Sequence, residues 1–131
     1  MLRPTAFRVA RPTNDLAGVI RFYVSDLGLE IIDSFTDHQG FDGVMIGVPG
    51  ADWHLEFTCC RGHDAGRAPT RDNLLVFYLP DPDLWQVAIN RMKSAGHTPV
   101  ASFNPYWDER GCTFEDPDGY RVVLQNTAWP A

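Results

Sequence analysis

The feature that most constrains this chain is that its second half repeats its first. A shift of 68 residues aligns Asp15-Leu16 with Asp83-Leu84, Val19 with Val87, Gly28 with Gly96, and Ser34-Phe35 with Ser102-Phe103. The identities are few, but they keep their order and coincide with a repeated order of elements, which makes duplication the better reading. In the first half, Leu16, Val19, Ile20, Tyr23, Val24 and Leu27 fall at helical spacing, with Thr13 or Asn14 as cap and Gly28 as stop. In the second half, Trp85, Ala88, Ile89, Met92 and Ala95 repeat the pattern, with Asp83 as cap and Gly96 as stop. Short β-prone runs surround the helices at 7–10, 31–35, 44–48, 53–58, 74–79, 99–103, 112–115 and 120–125. The order is β-α-β-β-β twice over. Module 1 spans about 5–60 and module 2 about 73–127, joined by a linker, about 61–72, rich in Gly, Arg and Asp.

A chain of 131 residues is the size of one compact domain, so the two modules are expected to form a single α+β domain. A formal charge of -6 leaves no broad basic surface for phosphate backbones, which argues against nucleic acid as a partner. No run of about 18 apolar residues occurs, and the N-terminal stretch lacks the apolar core of a signal peptide. No membrane partner and a cytoplasmic location are therefore expected. Three cysteines, Cys59, Cys60 and Cys112, without C-x-x-C spacing fit reduced thiols better than a disulfide frame or structural zinc.

Two stretches carry a family resemblance. They are the first-helix segment from Asp15-Leu16 through Phe22-Tyr23 to Leu27-Gly28-Leu29, and the hairpin Glu115-Asp116-Pro117-Asp118-Gly119-Tyr120. The hairpin also has a local cause, since Pro and Gly sit where a tight turn wants them. With these motifs the chain resembles the vicinal oxygen chelate superfamily of glyoxalase I, extradiol dioxygenases and bleomycin-resistance proteins. The resemblance covers nearly the whole chain. It implies two tandem βαβββ modules forming a curved mixed sheet around a cup-shaped cavity, a small molecule held there, and a homodimer.

Relatives that use a metal place four ligands, usually two His and two Glu, in the cup. Carried over by position, the resemblance puts these at Arg8, Glu56, the stretch 73–77 and Val123. A permanently cationic guanidinium cannot bind a divalent ion, Val123 has no donor, and within 73–77 only Asn73 offers a weak one. Neither a metal nor any other cofactor is therefore expected at the usual site, and Arg8 is expected to pair with Glu56 where relatives hold one. Strand alternation puts His54, Glu56 and Thr58 on one face and Leu55 and Phe57 on the apolar face. Phe77 and Gln125 are also expected to reach the cup, and Asn104, Tyr106 and Trp107 to form a lid or stacking platform beside it.

The leading reading is a metal-independent small-molecule binding protein. One alternative is a metal-dependent lyase, isomerase or dioxygenase with a nonstandard ligand set including His54 and Glu56. Another is a metal-free enzyme with Glu56 as general base. The sequence names no ligand and does not decide whether a reaction is catalysed.

Overall fold

The structure, a computed structural model, describes residues 1–130. It has two compact units of similar length, Met1–Gly66 and the remainder from Arg67 onward. Each is built around its own sheet.

In the first unit the sheet has four strands in the order β1-β4-β3-β2. These are β1 (Phe7–Pro12), β2 (Glu30–His38), β3 (Phe41–Gly47) and β4 (Trp53–Cys60). Strand β1 runs parallel to β4, and the other pairings are antiparallel. The helix α1 (Leu16–Ile20) begins at Asp15, whose carboxylate accepts the Gly18 amide at 2.9 Å, so Asp15 is the cap rather than Thr13 or Asn14. Thr13 instead accepts the Asp15 amide on its hydroxyl at 3.0 Å, which fixes the entry into the helix. From Arg21 to Asp26 the helix widens into π geometry, with the Leu27 amide donating to the Phe22 carbonyl five residues back. Nothing in the hydrophobic spacing signals this. It carries the adjacent Phe22 and Tyr23 into the core together, both essentially inaccessible. Gly28, at φ 98, ends the helix in a conformation that a side chain would strain.

The core of this unit lies between the helix and one face of the sheet. Val19, Phe22 and Tyr23 meet Val44, Ile46, Leu55 and Phe57, all buried. The Tyr23 and Phe57 rings are 4.9 Å apart, and Arg11 stacks over the outer side of Phe57 at 4.7 Å.

In the second unit the sheet has three strands in the order β5-β7-β6. They are β5 (Leu74–Tyr78), β6 (Gly111–Glu115) and β7 (Arg121–Gln125). The strand expected at 99–103 is reduced to one bridge between Val100 and Thr113. The chain there turns instead into hydrogen bonds from the Ser102 amide to the Asp108 carboxylate. The helix α2 (Pro82–Ser94) is capped by Asp81, not Asp83, with Pro82 in its first turn. The Trp85 indole donates to the Leu124 carbonyl at 2.8 Å, which locks α2 onto β7. The hairpin 115–120 is closed by Asp116, whose Oδ1 accepts the amides of Asp118 and Tyr120 at 2.9 and 3.0 Å. Among the described residues, no helix is long and apolar enough to cross a membrane.

Candidate functional site

The candidate site is built on the face of the first sheet that α1 does not cover. Strand register places Arg8 beside His54, Ala10 beside Glu56 and Pro12 beside Thr58. On the other side of β4, Glu56 pairs with Met45 and Thr58 with Gly43. Because alternate residues share a face, Arg8, His54, Glu56, Met45 and Thr58 stand together, and Leu55 and Phe57 point into the core.

Three side chains form a hydrogen-bonded cluster. The Arg8 guanidinium donates from Nε to His54 Nε2 at 2.9 Å and from Nη1 to Glu56 Oε2 at 3.1 Å. The first bond requires His54 to be neutral with its proton on Nδ1. Arg8 is nearly half exposed, and Glu56 only 14% so. The cation therefore sits over a carboxylate that is sunk in the sheet face. Arg8 Nη2 and Glu56 Oε1 make no hydrogen bond among the described residues.

The donor set does not suit a divalent ion. The two groups able to ligate one, His54 and Glu56, are both engaged by the same cation, which would repel a metal between them. Among the described residues no group of three or more His, Cys, Asp or Glu is placed to hold a metal ion. The position-equivalent Val123 is fully buried in β7.

A groove adjoins this cluster on the same sheet face. It has a volume of about 340 Å³ and is lined by Pro12, Phe41, Thr58, Cys60, His63 and Ala65. The wall formed by 63–65 is held in place by a small network. Asn14 donates to Asp64 Oδ1 at 2.7 Å and accepts the Ala65 amide at 2.8 Å, and the Gly66 amide reaches Asp64 at 2.9 Å. Neither His63 nor Cys60 is among the residues the sequence singles out for the cup, so the groove does not show there. The signal was present in the alternation Glu56, Thr58, Cys60, which carries the face of the polar cluster onward along β4.

The Asn14 hydrogen bond, followed by that from the Gly66 amide, holds the Asp64 carboxyl below its ordinary 3.8. Hydrogen bonds from the Arg61 side chain and the Asp37 amide act likewise on Asp42. A depressed carboxyl contributes stability that is present above its unfolded value and lost as pH falls through the folded one. Stability is thus expected to decline on acidification below about pH 4. The Ala65 and Gly66 amide shifts should report an Asp64 midpoint below 3.8, which Asn14→Ala moves back up.

The other expected site residues lie in the second unit. Phe77 pairs with Leu124 and Gln125 with Tyr78, so Phe77 and Gln125 point to opposite faces of their sheet. Phe77 shares its face with Leu124, and Gln125 shares the opposite one with Tyr78. Gln125 is buried beside Gly111, where an added Cβ would come within 2.6 Å of Gln125 Oε1 and 2.2 Å of the Trp107 carbonyl oxygen. That Oε1 has no hydrogen-bond partner among the described residues. Tyr106 and Trp107 lie in a one-turn helix, α3 (Tyr106–Glu109), with their rings edge to face at 4.9 Å. Asn104 serves this turn by accepting the Tyr106 amide on its side chain at 3.1 Å. Tyr106 is exposed and Trp107 half-buried.

Comparison with known proteins places these features in a family context. Residues 7–58 match the model of the YycE-like N-terminal domain, and residues 72–126 that of the YycE-like C-terminal domain. The chain is 47% identical over 120 residues to the uncharacterized protein YycE of Bacillus subtilis, covering 92% of this chain and 86% of that one. It superposes on the crystal structure of a YycE protein of unknown function from Bacillus subtilis, provisionally called a glyoxalase/fosfomycin resistance protein. The TM-score is 0.88 at 45% identity, over 95% of this chain and 90% of that one. The trypanothione-dependent glyoxalase I of Leishmania major gives 0.73 at 18% identity, over 96% and 88% of the two chains. TnmS3, an antibiotic binding protein from a Streptomyces species, gives 0.64 at 19%, over 95% of both. The last two likenesses are of fold alone.

Proposed function

Because the chain belongs to the YycE-like family and has the glyoxalase/bleomycin-resistance fold of the vicinal oxygen chelate proteins, we propose that it binds a small molecule without a metal, on the open face of its first sheet. The observation that carries this reading is the Arg8 guanidinium donating to both His54 and Glu56. By the family resemblance, this fixed positive charge stands at the position where metal-using relatives place their first ligand. The antibiotic binding protein TnmS3, which shares the fold, supports binding as a use of this scaffold.

Protein purified without chelators should contain well below one equivalent of iron, zinc, nickel or manganese per chain by elemental analysis. A stoichiometric metal that is lost in Glu56→Ala would sink the proposal in favour of a metal-dependent lyase, isomerase or dioxygenase. One observation favours a second reading. Among the described residues Glu56 Oε1 carries no hydrogen bond, which leaves it placed to accept a proton from a bound substrate as a general base. Turnover that disappears in Glu56→Gln while binding persists would establish it.

A cytoplasmic homodimer belongs to the same proposal. Phe7 and Val9 alternate with Arg8 along edge strand β1, yet remain 62% and 42% exposed. Large apolar side chains on a sheet edge favour cover by a second copy.

A further inference from the structure

We infer that the ligand is an uncharged amphiphile, whose polar head both accepts and donates a hydrogen bond at Arg8 and Glu56 and whose apolar body extends over Thr58 into the groove between Pro12 and Phe41. The inference rests on the proposed binding function and names the chemical class of what is bound.

The head group follows from charge and unused hydrogen-bonding capacity. Arg8, Glu56 and a neutral His54 sum to zero charge, so the cluster attracts neither anions nor cations as a whole. Among the described residues its open capacity comprises the donors Arg8 Nη2 and His54 Nδ1 and the acceptor Glu56 Oε1. A primary amide or a lactam supplies the matching carbonyl and N–H without net charge. A carboxylate would satisfy Arg8 but set a second negative charge beside Glu56, where like charges disfavour each other.

The body follows from the groove. Glu56, Thr58 and Cys60 succeed one another on one face of β4, so polar cluster and groove form one strip about 13 Å long at about 3.3 Å per residue. Phe41, which pairs with Cys60 in the register, stays 42% exposed along it, a large apolar surface left facing water. The opposite wall, 63–65, is pinned by Asn14 and Asp64, so the groove is built before any ligand arrives. A polar end, an apolar end and a fixed wall on one strip suit a molecule with the same division.

The test is an NMR titration of the full chain with hexanamide, heptanamide, octanamide and octanoate at pH 7, following the backbone amides of Arg8, His54, Glu56, Thr58 and Cys60. Affinity should rise about fourfold per added methylene. Octanoate should bind at least tenfold more weakly than octanamide. In Phe41→Ser the gain with chain length should vanish while hexanamide still shifts the Arg8 and Glu56 signals. Phe41 is exposed, so the variant should keep its fold, which the unperturbed core amides would verify. Affinity that does not change with chain length, or octanoate binding more tightly than octanamide, overturns the inference while leaving binding at Arg8 intact. If no probe shifts Arg8, His54 or Glu56, the proposed function falls and the inference with it.

Discussion

Phe57→Ala should lower the free energy of unfolding by about 3–5 kcal/mol, the range for emptying a well-packed aromatic site. Phe57 sits on β4, hydrogen-bonded between β1 and β3, and only 1% of its surface reaches solvent. Its ring meets Tyr23 at 4.9 Å on one side and carries the Arg11 guanidinium at 4.7 Å on another. Truncation removes the buried area, leaves a cavity between sheet and helix, and deprives Arg11 of its stacking partner. For a domain whose total stability is typically about 5–15 kcal/mol, that is a large fraction. Urea unfolding of wild type, Phe57→Leu and Phe57→Ala should give a graded loss with unchanged slope. A loss below about 1 kcal/mol in Phe57→Ala would contradict the packing described.

Asp116→Ala should cost about 2–4 kcal/mol, because two amide donors lose their acceptor at once and each unpaired buried donor costs about 1–3 kcal/mol. Asp116 is buried, and its Oδ1 holds the amides of Asp118 and Tyr120 across the hairpin. Asp116→Asn keeps an oxygen at that position and should cost less than half as much. The ratio of the two losses in denaturant unfolding separates hydrogen bonding from charge. Equal losses would mean that the charge, not the acceptor, closes the turn.

Much of the fold was legible because the hydrophobic pattern and the punctuation agreed. Gly28 and Gly96 end the helical segments at positive φ, as their positions suggested. The face of β4 was legible because His54, Glu56 and Thr58 alternate with Leu55 and Phe57. The face of β5 was not, because Leu74-Leu75-Val76-Phe77-Tyr78 is apolar throughout and gives no alternation that would set Phe77 and Gln125 on opposite faces. The segment 99–103 has strand-like composition, but only Val100 enters a ladder; the Ser102 amide is taken by the Asp108 side chain, a contact between residues six apart that composition does not reveal. The caps were displaced for a simple reason. Thr13-Asn14-Asp15 and Asp81-Pro82-Asp83 each offer more than one capping residue, and only the backbone geometry selects among them.

The groove beside the cluster is not legible in the sequence for a different reason. Its residues come from β1, β3, the end of β4 and the turn after it, and its wall depends on Asn14 reaching Asp64 and Ala65, about fifty positions along the chain. Spacing along one strand can reveal a face but not what closes over it.

The widened turn at Arg21–Asp26 also bears on the duplication. It amounts to one extra residue threaded into the first helix, which shifts the phase of everything after it by about 100° relative to a regular helix. The helix of the second half has no such insertion; it is α-helical throughout and buries Ile89 and Met92 at ordinary spacing. The two copies have therefore diverged in phase as well as in sequence, and they are no longer exchangeable parts. A chimera carrying the second helix in the first position would present one bulky side chain where the first sheet is shaped to receive two neighbours, Phe22 and Tyr23.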